Sequence, residues 1–300
     1  MSDQVSSSPM TKLITIIGKL PLPFVRCAGR IFGLLSLRFD RRTRRAIDRN
    51  LELCLPHMDK EQRTRLRNRR LQHMGQTFAE MGHLWTRDVK FILNQCYDGE
   101  GAQALKEAVE GKGGVILLAP HLGNWEAVNV YISSIRPMTA MYRPYKDEAL
   151  DAFILKARNR AGGELVPTNR RGVMQIVKTL NADGVVGMLP DQVPQKGSGE
   201  FAPFFGHQAY TMTLASQLAQ KTNAKAFVVG CIQTKKGFEM TALEVDPRFY
   251  DADVSTSLEG MNTTIEQLVQ RAPSQYQWEY KRFKIQPHDA LNPYKEHDQQ

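Results

Sequence analysis

The run GKGGVILLAPHLGNWE, residues 111–126, decides how the chain folds. Glycines open it. Val115–Ala119 is wholly apolar and stops at Pro120, which reads as a short strand buried on both faces. Gly123 and Asn124 supply a turn, and helical spacing resumes from Trp125 to about Ile132. A buried strand, a turn and a helix make the repeating unit of an α/β sheet.

The alternation continues downstream. Thr139–Arg143, Leu165–Val166, Val185–Leu189, Ala226–Ile232 and Phe238–Leu243 read as strands. Ala102–Val109, Asp147–Ala161, Gly172–Asn181, Thr211–Thr222 and Ser255–Arg271 read as helices. Residues 190–210, rich in Pro, Gly and Phe, read as a long loop. Upstream, Arg41–Leu55 and Glu61–Trp85 are helical on either side of a turn at Pro56. The expected fold class is α/β: a central, mostly parallel or mixed sheet flanked by helices, preceded by an N-terminal membrane-associated helical region. The expected division is 1–38 as a membrane-anchoring segment, 39–287 as the catalytic domain and 288–300 as a frayed tail.

The N-terminal expectation rests on residues 13–37, an apolar stretch interrupted by Lys19, Arg26, Arg30, Pro21 and Pro23. A spanning helix needs about 20 nearly uncharged residues, so a helix lying in the interface fits better. The alternative is an ordinary amphipathic helix packed on the domain. The chain carries 40 Lys plus Arg against 31 Asp plus Glu, a net charge of +9, densest between Arg38 and Arg70. That excess suits an anionic partner such as acidic headgroups or a phosphorylated substrate, or it is a solvated helix face. Helix-turn-helix and aromatic-basic signatures are not evident, so nucleic acid is not expected. Four scattered cysteines without C-x-x-C suggest reduced thiols in a cytosol-facing protein, not a zinc or disulfide framework.

Phosphate-loop, zinc-protease and G-x-S-x-G motifs are missing from the sequence. Gly99-Glu-Gly101 resembles a dinucleotide loop but follows a poor strand, and a turn into the next helix explains it. A histidine followed five residues later by an acid occurs twice: His83…Asp88 and His121…Glu126. The first lies in a long helical pattern, where five residues turn the side chains roughly 140° apart. There Asp88 reads as a helix terminator and His83 as a packing residue. The second lies just past a buried strand, where ligands bind in open α/β sheets. A strand-turn-helix can fold Glu126 back so that its carboxylate holds one imidazole nitrogen and frees the other as a base. Asn124 could cap the helix, and Trp125 reads as core.

The order of motifs resembles the lipid A biosynthesis acyltransferase family, within the lysophospholipid acyltransferase superfamily. The carriers are RRAIDRNLELCLP at 44–56, GKGGVILLAPHLGNWE at 111–126, MYRPY at 141–145, LPDQVPQKGSGEFAPFFG at 189–206, LASQLAQKTNA at 214–224 and APSQYQWEYKRFK at 272–284. The resemblance implies a glycerolipid acyltransferase-like fold at the cytoplasmic side of the bacterial inner membrane. It implies transfer of a fatty acyl chain from acyl carrier protein to a 3-hydroxyacyl hydroxyl of a phosphorylated glycolipid, with no metal or organic cofactor. It maps the catalytic pair onto His121 and Glu126. Arg143, Arg158 (or Arg160), Asp191 and Asn124 follow as substrate-binding candidates; a surface ion pair or a loop cap is the plainer reading of Arg143 and Asp191. Phe204–Gly206 could line an acyl groove or pack in the core, and Tyr276, Trp278, Lys281 and Arg282 could meet the interface or pack. The rival readings are the same chemistry on glycerophospholipid or another glycolipid, and a basic membrane-binding protein without catalysis.

Overall fold

The structure is a computed structural model that describes residues 8–287 and 290–295. Four helices come first: α1 (Pro9–Lys19), α2 (Leu22–Phe39), α3 (Arg41–Cys54) and α4 (Lys60–Thr86). Their starts follow from local chemistry. The Ser8 hydroxyl accepts from the Thr11 amide, the Asp40 carboxylate from that of Thr43, and Asp59 with Gln62 closes a reciprocal capping box. Pro21 separates α1 from α2 because a proline cannot continue the helical ladder.

Both α1 and α2 pack on α4 through glycines. A Cβ built on Gly75 would lie 2.1 Å from the Gly29 carbonyl oxygen, and one on Gly18 would lie 2.4 Å from that of Gly82. The backbones touch where any side chain would wedge them apart. Among the described residues, no helix is long and apolar enough to cross a membrane.

Then come α5 (Val89–Leu93), β1 (Cys96–Asp98), α6 (Ala102–Glu110), β2 (Val115–Leu118), α7 (Trp125–Ile135), β3 (Met138–Tyr142), α8 (Glu148–Arg160), β4 (Glu164–Pro167), α9 (Arg170–Asn181) and β5 (Val185–Met188). After these follow β6 (Gly199–Phe204), β7 (His207–Met212), α10 (Leu214–Thr222), β8 (Lys225–Gln233), β9 (Phe238–Glu244) and α11 (Val254–Arg271). Seven strands form one sheet in the order β1-β9-β8-β2-β5-β3-β4. Every neighbouring pair is parallel except β8 with β9, so the sheet is mixed. Apolar clusters cover both faces, one carrying Ile116, Leu118 and Val186 and the other Val115, Leu117 and Val185. That is why β2 and β5 are apolar at nearly every position rather than alternating.

Three expectations are corrected. Residues 190–210 are not one loop: β6 and β7 pair as an antiparallel hairpin turned at Phe205-Gly206. Pro203 and the glycines disguise it, yet a two-stranded ribbon tolerates a proline on its free edge. The hairpin also claims Thr211 and Met212, so the next helix begins at Leu214. Finally, the chain beyond Pro287 is anchored where it is described. The Tyr294 hydroxyl donates to Asn50 Oδ1 at 2.6 Å and accepts from the Phe283 amide at 3.1 Å, and its ring is buried.

Candidate active site

The sheet brings His121 and Asp191 together. Leu118 of β2 pairs in parallel register with Met188 of β5, and both residues lie three positions further on. Each follows an apolar strand and a proline, VILLAP and VVGMLP, so both side chains leave the carboxyl edge of the sheet at the same height. Asp191 Oδ1 lies 2.8 Å from His121 Nδ1, and Oδ2 accepts the His121 amide at 2.8 Å. A carboxylate only accepts, so Nδ1 carries the hydrogen and Nε2 keeps its lone pair. Gln192 agrees: its amide nitrogen donates to Gln277 Oε1 at 3.0 Å and to His121 Nε2 at 3.2 Å.

Asp191 is 4% exposed. Burial pushes its carboxyl up, but the His121 imidazole beside it, together with the hydrogen bonds from the His121 ring and amide, outweighs burial and holds it below the ordinary range. Tyr276 packs against the same corner, where burial, and then the charge of Asp191, pushes its hydroxyl well up.

Glu126 is therefore not the carboxylate that holds His121. It stands in the first turn of α7 and faces away, accepting from Arg158 Nε at 3.1 Å, from Arg158 Nη2 on its other oxygen, and from Trp85 Nε1 at 3.1 Å. The chain cannot bring it round because the turn is pinned. Gly123 sits at φ +62° with its α-carbon against the Cys231 carbonyl, 2.1 Å from where a Cβ would be, and the Asn124 amide donates to that same carbonyl at 2.8 Å. The Trp125 ring lies 5.0 Å from the His121 ring.

The other candidates separate clearly. Arg158 is the arginine of the site; burial alone would push its guanidinium down, but Glu126 more than reverses this and raises it. Its guanidinium also sits 5.4 Å over the Tyr142 ring. Arg160 instead donates to the Leu84 and Trp85 carbonyls at the end of α4. Arg143 is exposed just beyond β3, on the sheet edge that bears His121, and has no ion pair among the described residues. Asn124 is fully buried and does not cap α7; its Nδ2 donates to Glu80 Oε2 at 2.9 Å. Phe204 is buried beside Phe205, and Phe205 packs on Trp278, so these aromatics are core. Tyr276, Trp278 and Arg282 are buried too, with Arg282 donating to the Tyr210 carbonyl.

Two features escaped the sequence. The Gln192–Gln277 bridge closes over His121 Nε2, and Gln277 reaches it because its amide donates to the His121 carbonyl at 3.1 Å. Glu80, fully buried in α4, accepts from Arg26, Gln76, Asn124 and Gln233 at 2.6–2.9 Å. A repeated VxxxxP[HD] grammar could have signalled Asp191; nothing local signals Glu80.

Beneath the Glu126–Arg158 pair lies a cavity of about 90 Å³ between α7, α8 and the sheet. Trp125, Glu126, Asn129 and Arg158 line it together with apolar residues, among them Leu117, Met138 and Leu165. Much of the Arg38–Arg70 cluster is structural: Arg67 chelates Asp48, and the buried Arg70 grips Glu279 through two nitrogens.

The sequence profile described as bacterial lipid A biosynthesis acyltransferase matches residues 10–285. The chain is 27% identical over 287 residues to the lipid A biosynthesis lauroyltransferase of Escherichia coli K12, covering 94% of this chain and 92% of that protein. It is 26% identical over 271 residues to the palmitoleoyltransferase of the same organism, with 90% and 88% covered. It is also 27% identical over 274 residues to a lipid A biosynthesis acyltransferase of Haemophilus influenzae, with 89% and 86% covered.

Proposed function

The chain belongs to the bacterial lipid A biosynthesis acyltransferase family, and from that premise we propose that it moves a fatty acyl chain from an acyl carrier protein thioester to a 3-hydroxyacyl hydroxyl of a phosphorylated lipid A precursor. His121 is the general base, Asp191 orients it, and Arg158, held by Glu126, is the cation at the acyl pocket. The observation that carries this reading is the His121–Asp191 pair, which leaves Nε2 as an acceptor, with Trp125, in contact with the His121 ring, lining a largely apolar cavity.

The chemistry follows from the geometry. The acceptor hydroxyl displaces Gln192 and gives its proton to Nε2 as its oxygen bonds the thioester carbonyl carbon. The buried Asp191 stabilises the imidazolium that forms. We assign to Arg158, aimed by its two-point grip on Glu126, the steadying of the oxyanion. The carbon–sulfur bond then breaks, and the imidazolium returns the proton to the departing thiolate.

The proposed setting is the cytoplasmic leaflet of the inner membrane. α2 supports this by its inverted pattern: Gly29, Gly33 and Val25 face the protein, while Phe24, Ile31, Phe32 and Leu35 face outward, more than half exposed. Leu13 and Ile16 of α1 and Phe78 of α4 extend that apolar surface. In water such a patch is costly; at a bilayer it is a docking face.

The test is mass spectrometry of lipid A precursor after incubation with purified protein and a panel of acyl carrier protein thioesters. Gain of one acyl mass in wild type, lost in His121→Ala and Asp191→Ala, is the expected result. No gain from folded wild type with any thioester overturns the reading.

A further inference from the structure

We propose that the cavity between α2 and the β8–β9 turn binds the phosphate headgroup of an anionic membrane phospholipid, at a site separate from the one that holds His121. The inference rests on the membrane-facing reading of α1 and α2.

The cavity is the larger of the two described, about 710 Å³. One wall is α2, where Leu22, Pro23 and Ile31 are apolar, and Ile31 belongs to the outward apolar face. The opposite wall is the turn after β8, which carries Lys235 and Lys236. Arg30 projects into the space from α2. No aspartate or glutamate lines it, and none of these three cations has an ion pair among the described residues. Glu80, which Arg26 reaches from this wall, is already held by that guanidinium and by the Gln76, Asn124 and Gln233 amides. His73 also lines the cavity but stays neutral at pH 7. Burial, against a hydrogen bond to Gln233 and with the charges of Arg30, Arg70 and Arg69, holds it at about 4.

The walls are fixed to each other. Arg26 spans them: Nε donates to Glu80 at 2.6 Å, Nη1 to the Thr234 carbonyl at 2.9 Å and Nη2 to the Gly237 carbonyl at 3.3 Å. Its guanidinium also covers the Phe238 ring at 4.9 Å. The result is a preformed pocket, apolar at Leu22, Pro23 and Ile31 of α2 and cationic at Arg30 of the same helix and at Lys235 and Lys236 of the turn opposite. An amphiphile whose anionic head sits against Arg30, Lys235 and Lys236 and whose tails run along α2 matches that division.

Vesicle flotation tests it with the full-length protein and two vesicle compositions, phosphatidylcholine alone and phosphatidylcholine with phosphatidylglycerol, the latter also in the presence of a soluble competitor. Wild type should prefer the phosphatidylglycerol vesicles by roughly tenfold or more. Lys235→Glu/Lys236→Glu and Arg30→Gln should lose most of that preference yet keep phosphatidylcholine binding. Lys112→Glu/Lys221→Glu carries the same charge change as the double variant, in exposed positions at the opposite edge of the sheet, and should keep the preference. Short-chain phosphatidylglycerol should compete, and inorganic phosphate at equal concentration should not. Equal losses in both double variants make the effect general electrostatics and overturn the site. Equal competition by inorganic phosphate overturns the lipid assignment. Binding of wild type to neither vesicle overturns the site together with the membrane-facing reading, whereas acyl transfer is scored separately by product mass.

Discussion

At the scale of single residues, the site depends on two buried carboxylates in different company. Glu126 has a guanidinium and an indole; Asp191 has an imidazole and an amide. Arg158→Met strands Glu126 beside a single indole donor, and removing one member of a buried pair costs about 3–5 kcal/mol. Urea denaturation should show a loss of that order, reduced because Arg158 is partly exposed. The double variant with Glu126→Gln should be less destabilised than the two single losses added together; strict additivity would mean the pair is not coupled. His73 gives a pH prediction. Its ordinary value of 6.5 is depressed to about 4 in the fold, so the unfolded chain binds a proton first as pH drops. Its effect on stability is nil above about 6.5, grows as pH falls toward 4, and levels off below. At pH 4.5 the loss is about 2–3 kcal/mol. His73→Gln should flatten the decline between pH 7.5 and 4.5; an unchanged decline would show that His73 does not titrate this way.

At the scale of elements, β2 was legible because it is apolar throughout and bounded by glycine and proline, and its following turn and helix were legible for the same reasons. His121 could be singled out from that context. Its carboxylate could not, because partner choice depends on β5 lying beside β2, and strand order is not a local property. Glu126 is the acid closest in sequence, whereas Asp191 lies seventy residues away. β6 and β7 stayed hidden behind Pro203, Gly199 and Gly206, residues that punctuate loops as readily as hairpins. The helix α2 shows the opposite problem: its charges argue against a span, yet its glycines mark the face that packs. Gly75→Leu should test that face, since even a Cβ there meets the Gly33 α-carbon at 2.7 Å. Overpacking of this kind costs typically about 1–3 kcal/mol. A thermal melt in detergent should show a clear drop, while no shift would mean that α2 is not held on α4 this way.

At the scale of the whole molecule, the sheet orients the chemistry and α1 and α2 orient the sheet. The Arg26–Glu80–Asn124 chain joins them, running from α2 through α4 to the turn that follows His121. If the outward face of α2 meets the bilayer, Phe24→Ser/Ile31→Ser/Phe32→Ser should cut partitioning to phosphatidylcholine vesicles by at least about 100-fold, since each large apolar side chain contributes about 1.5–3 kcal/mol when buried. Cosedimentation measures this directly. Unchanged partitioning would place the contact elsewhere.

The central claim is that Asp191, not Glu126, is the carboxylate acting through His121. The most direct measurement is kcat/KM for acyl transfer by wild type, Asp191→Asn and Glu126→Gln, with folding of each checked by circular dichroism. Asp191→Asn should lower the rate by roughly 10³–10⁴-fold, because the imidazole loses the carboxylate that fixes its tautomer and steadies its charged form. Glu126→Gln should lower it far less, because it leaves the His121–Asp191 pair intact. A loss of that size in Glu126→Gln with near wild-type rates in Asp191→Asn would contradict the account.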